Sequence, residues 1–171
     1  MTERFNRTDT GRRIHFASVM TLLGYTDGAN HTEGASYLEL VEWIIGNCDD
    51  TGRNLEQLWR RIVFNIAVSN CDDRLRNHGF LLTPQGWRLS PAYDINPDEY
   101  GTGLKLNISE NDNSLDFDLA MGITPYFGLE SARAESILAE VKHTVSGWRK
   151  LATKYGIPKS EQDAMERAFR Y

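Results

Sequence analysis

The chain of 171 residues has only two cysteines and no run of about 18 apolar residues. Each shortage excludes something. Cys48 and Cys71 make neither a disulfide framework nor a paired metal-ligand spacing, so they read as small buried or half-buried thiols of a cytoplasmic protein. The opening MTERFNRTDTGRR has no apolar stretch of a signal peptide, and neither secretion nor membrane insertion is indicated. No repeat, low-complexity run or Gly/Ser/Pro linker divides the chain, which reads as one domain over 1–171. An excess of positive charge is also missing. The formal net charge of −5 argues against a broad phosphate-backbone footprint, and hence against direct nucleic-acid binding. The basic exception runs from Arg53 to Arg88, where six arginines face Glu56, Asp72 and Asp73.

What is present has the patterning of a mainly α, α+β domain with small β hairpins. Ser36 can cap a helix in YLELVEWIIG, with Gly46 as its stop. In the strongest helix, Leu55, Leu58, Trp59, Ile62, Val63, Ile66 and Ala67 recur at spacings of three and four. Asn54 and Gln57 resemble a capping box at its start. GFLLTPQGWRLS reads as a hairpin around a Pro/Gly turn, and LKLNI alternates like another short strand, as ERFNR does at the opening. Helices are expected from Ser114 through LDFDLAMG, from about Ser131 to Tyr155, and after Ser160 and Asp163. The four tryptophans fall on apolar faces and read as core.

Between the strongest helix and the hairpin lies SNCDDRLRNHG. Asp72 and Asn77 have the D-x-x-x-x-N spacing of a kinase catalytic loop. There the aspartate accepts the proton of an attacking hydroxyl, and the asparagine offers its amide oxygen to a magnesium ion that touches the nucleotide phosphates. Asp94, in SPAYDINP, follows the hairpin, where a protein kinase places a second metal-binding aspartate. Two polar residues five apart are a weak signal, but helix, loop, hairpin and aspartate in this order are specific.

LWRRIVFNIAVSNCDDRLRNHGFLLTPQGWRLSPAYDINP resembles the core region of the HipA-like serine/threonine kinases, toxins of bacterial toxin–antitoxin pairs. The resemblance extends from ERFNR and GRRIHF through GASYLEL to the helical tail. It implies a protein-kinase-like C-terminal lobe acting with ATP and Mg2+ on a protein serine or threonine. Carried over residue by residue, it makes Asp72 the catalytic base, Asn77 and Asp94 the Mg2+ ligands, and Glu3 and Phe5 adenine-contacting hinge positions. Three departures bear on activity. Arg74 stands where the family has a histidine, and Asn6 where it has an aspartate. No G-x-G-x-x-G and no V-A-I-K lysine occurs, so the N-terminal lobe is expected to be absent and the isolated chain weak or inactive.

Two functions from different classes therefore stand side by side. One is the base- and metal-bearing lobe of a kinase. The other is an inactive lobe serving as an interaction module for an antitoxin or a separate N-terminal lobe, with a homo-oligomer as a further way to cover the vacant apolar face. A plain helical scaffold is the third, weaker reading. Outside the core motif the residues read more plainly. Asp73 is expected to be solvated or salt-bridged, His78 a hydrogen-bonded loop histidine, and Arg74 and Arg76 partners of Asp72, Asp73 or Glu56 as readily as of phosphate. His15, His31 and His143 have no ligand spacing, and Lys105 reads as a strand lysine in water.

Overall fold

A computed structural model describes residues 4–171, and about half of them are helical. The strand β1 (Phe16–Ser18) runs directly into the short helix α1 (Val19–Leu23), because the Ser18 side chain accepts the Thr21 N–H and caps it. Helix α2 (Tyr37–Asn47) starts on a complete capping box in which Ser36 and Glu39 each satisfy the other's backbone N–H. It runs through Gly46 and ends at Cys48. Helix α3 (Thr51–Ala67) carries the expected apolar stripe, and Leu58, Trp59, Ile62, Val63, Ile66 and Ala67 are wholly buried. The Trp59 indole N–H finds the Ala120 carbonyl at 2.9 Å, so the largest core side chain is also satisfied.

Strands β2 (Gly79–Thr83) and β3 (Gly86–Leu89) form the expected hairpin. Antiparallel pairing of β1 with β2, Phe16 opposite Leu81, completes a three-stranded sheet of order β1-β2-β3. Gly79 is obligatory at this junction, since a Cβ there would overlap the Phe16 ring. Helices α4 (Phe117–Gly122), α5 (Ser131–Ser146), α6 (Trp148–Lys154) and α7 (Lys159–Ala164) follow, with α4 and α5 packed on α3.

Several local expectations are corrected. Helix α3 begins one turn early, on Asp50, whose side chain accepts the Arg53 N–H. Asn54 is a buried tie instead of a cap: its amide donates to the Asp50 carbonyl, and its oxygen accepts the Leu89 N–H at 2.7 Å. LKLNI forms no ladder, although Leu104, Leu106 and Ile108 are fully buried; the alternation reported burial, and a single isolated bridge, Asn107 to Ser36, pairs the segment. Of ERFNR, the described residues 4–7 likewise form a turn closed by an Arg7–Arg13 bridge, and Glu3 lies outside the described residues. The long C-terminal helix breaks at Gly147, between α5 and α6. Helix α7 follows Pro158 with no side-chain cap, and Asp163 pairs with Arg149 instead. Of the tryptophans only Trp59 is fully buried; Trp43 and Trp87 pack at the core's edge, and Trp148 stacks on Phe169. Both cysteines are free, Cys71 buried and Cys48 half-buried. Among the described residues, no helix is long and apolar enough to cross a membrane.

Candidate functional site

At the C-terminal end of α3 the chain must turn sharply toward the sheet, and Ser69 does so with a positive φ of 48°. Asn70 then fastens the turn. Its amide donates to the Asn65 side-chain oxygen, and its own oxygen accepts the Asn96 N–H, joining the helix end to the segment after β3. From here burial alternates: Asp72 and Arg76 face solvent, while Asp73, Leu75 and Asn77 turn inward.

Of the two alternatives expected for Asp73, solvated or salt-bridged, the first is corrected: the carboxylate is buried, with the His78 ring at ion-pair distance. Asp73 is 3% exposed, and one of its oxygens receives the Tyr37 hydroxyl at 2.5 Å, the Asn65 amide at 2.7 Å and the His78 ring at 2.8 Å. Burial and the adjacent carboxylate push the Tyr37 phenol well above its ordinary value, so it remains a donor. Sequence reasoning missed this network because its members lie on α2, α3 and the loop, with no spacing to connect them. His78, 2% exposed, is the hydrogen-bonded loop histidine anticipated.

With the loop held from inside, Asn77 and Asp94 meet. The Asn77 amide nitrogen lies 2.9 Å from an Asp94 carboxylate oxygen and 3.3 Å from its backbone carbonyl. The Asn96 amide donates to the other carboxylate oxygen at 3.0 Å. Asp94 has a positive φ of 56°, a conformation that Asp tolerates better than most residues and that recurs at functional sites. Among the described residues Asn77 Oδ1 is buried with no partner. An orphaned amide oxygen beside a carboxylate is a hard-oxygen donor set of the kind Mg2+ takes, and Mg2+ needs few protein ligands when phosphates supply the rest. The residues present therefore fit the ion. No group of three or more His, Cys, Asp and Glu that could hold a metal occurs among the described residues.

Asp72 is exposed and held by Arg74, whose Nε donates to it at 2.7 Å. It makes no hydrogen bond to Asn77 or Asp94 among the described residues. Arg76 pairs with Asp27 at 2.6 Å, not with the loop aspartates or Glu56. Phe5 stacks on Tyr93 at 5.7 Å with Phe16 alongside, an aromatic group directly before Asp94. The Tyr93 hydroxyl donates to the Arg76 carbonyl at 2.7 Å, and burial pushes its phenol up to about 12. Glu3 lies outside the described residues.

Comparison with known proteins gives the family and the fold. Residues 1–148 match the model of the HipA-like C-terminal domain. Among solved structures the chain is similar to the HipA of Shewanella oneidensis MR-1, from a toxin–antitoxin complex of HipA, HipB and operator DNA. The TM-score is 0.75 at 18% identity, covering 97% of this chain and 45% of that one. The chain thus spans less than half of that HipA. No curated protein matches it by sequence.

Proposed function

Because the chain belongs to the HipA-like C-terminal domain family, we propose that it is the base- and metal-bearing lobe of a serine/threonine protein kinase. The observation that carries this reading is the meeting of Asn77 and Asp94, 17 positions apart in sequence, with the Asn77 oxygen left free. Asn77 and Asp94 would hold Mg2+, which when bound neutralises charge on the transferred phosphoryl group. Asp72, in solvent at the loop's outer face, accepts the proton of a serine or threonine hydroxyl. Asp73, from inside, anchors the loop through Tyr37, Asn65 and His78. Phe5, backed by Tyr93 and Phe16, offers an aromatic surface for adenine, and Glu3 shares that role by resemblance.

A second reading is favoured by the Arg74–Asp72 ion pair. The Arg74 Nε–H occupies an Asp72 carboxylate oxygen, leaving it less available to a substrate hydroxyl. On this reading the lobe is an inactive interaction module, with an antitoxin or a separate N-terminal lobe as partner; the Shewanella HipA, bound to HipB, is the precedent.

Calorimetric titration of ATP with and without Mg2+, beside Asp94→Asn, tests the proposal. Binding that requires Mg2+ and is lost in the variant is the expected result. Heats that ignore both the ion and the substitution would overturn it.

A further inference from the structure

Among the described residues a cavity of about 850 Å3 is lined by Phe5 but by none of Asp72, Asn77 and Asp94. It lies between α3, α5 and the sheet, and the segment 90–92 closes one side. Its size falls in the range of small-molecule sites. Four arginines line it, Arg53, Arg60 and Arg61 from α3 and Arg88 from β3, against the single carboxylate of Glu140. Four cations and one anion leave +3 around this space, in a chain whose total is −5.

The four are not equivalent. Arg60 is already answered, by Glu140 at 2.8 Å and Glu56 at 3.9 Å. Arg53 and Arg88 are exposed, and neither they nor Arg61 have a carboxylate partner among the described residues. Arg61 donates to the Ser90 carbonyl, its Nη1 is buried without a partner, and burial lowers its guanidinium to about 10. The Asp73 carboxylate, beyond ion-pair distance, offsets only part of this desolvation, and Nη1 is left with a hydrogen bond to give. Between the cations the wall is apolar, formed by Phe64, Leu89, Ile95 and Val141.

We propose that this cavity is a second ligand site, for an organic anion whose phosphate or carboxylate head is met by Arg53 and Arg88 in the field of Arg61. The apolar body of the ligand lies on Phe64, Leu89 and Ile95. The site shares Phe5 with the proposed adenine surface but does not use the Asn77–Asp94 pair, and it needs no metal.

The test is calorimetry without Mg2+ on the full chain, with phenyl phosphate, 3-phenylpropionate and inorganic phosphate as probes. At least one aromatic anion is expected to bind more tightly than inorganic phosphate. Its affinity should fall about tenfold in Arg53→Ala or Arg88→Ala, the loss of one charge-assisted hydrogen bond, and stay unchanged in Asp94→Asn. Preference for phenyl phosphate assigns a phosphorylated ligand, and preference for 3-phenylpropionate a carboxylated one. Both variants are on exposed side chains, so folding is retained. No binding by either aromatic anion, equal binding in the arginine variants, or loss in Asp94→Asn would each overturn the proposal; only the last would point back to the Asn77–Asp94 site.

Discussion

Asp72 and Asp73 are adjacent and chemically identical, yet one faces water beside Arg74 and the other receives three donors in the core. Their substitutions should separate accordingly. Asp73→Ala leaves Tyr37, Asn65 and His78 without their shared acceptor, and a loss of about 3–5 kcal/mol is expected. Asp72→Ala removes an exposed ion pair and should change stability by no more than about 1 kcal/mol. Urea unfolding of the two variants checks this, and equal effects would refute the assignment of roles. Legibility at this scale was uneven. The approach of Asn77 to Asp94 was foreshadowed by the order of loop, hairpin and aspartate, whereas Asp72 bonds Arg74 and neither of them. Asp73's burial was not foreshadowed, since an irregular loop has no period from which an inward face can be inferred.

Among the elements, α3 is the organiser, and its polar flank matters as well as its apolar stripe. Arg133 on α5 grips Glu56 through two bonds, at 2.5 and 2.9 Å, which clamps α5 to α3. The Arg133 guanidinium holds the Glu56 carboxyl below its ordinary value. A carboxylate lowered by folding contributes stability above its unfolded value of about 4.3, and that contribution is lost as pH falls through the folded value. Arg133→Ala should therefore lower Tm slightly at neutral pH, with the deficit vanishing in acid. A deficit that persists or grows below the carboxylate range, seen by thermal melts across pH, would count against this clamp. Helices α2 and α3 and the β2–β3 hairpin were legible because amphipathic period and turn chemistry agreed locally. The start of α3 was not, because Asp50 and Asn54 are both good caps and packing against β3 took Asn54 for another bond. LKLNI misled for a related reason: tertiary burial of alternate leucines imitates a strand without a neighbour to pair with.

For the whole molecule, helix, loop, hairpin and aspartate arrive in the order that brings Asn77 to Asp94, and a sheet edge and two helices enclose a basic cavity nearby. The family was readable from the run between α3 and Asp94, where chemistry constrains residue type and spacing together. The arginine cavity was visible only as a local excess of positive charge, because its walls come from elements distant in sequence. The account's central claim is that Asn77 and Asp94 form one cation site in a nucleotide-binding lobe. Crystals grown with Mn2+ and a non-hydrolysable ATP analogue, measured at the manganese absorption edge, test it most directly. An anomalous peak touching Asn77 Oδ1 and an Asp94 carboxylate oxygen is the predicted result. Analogue density with no peak at that pair, or a peak held by other residues, would contradict it.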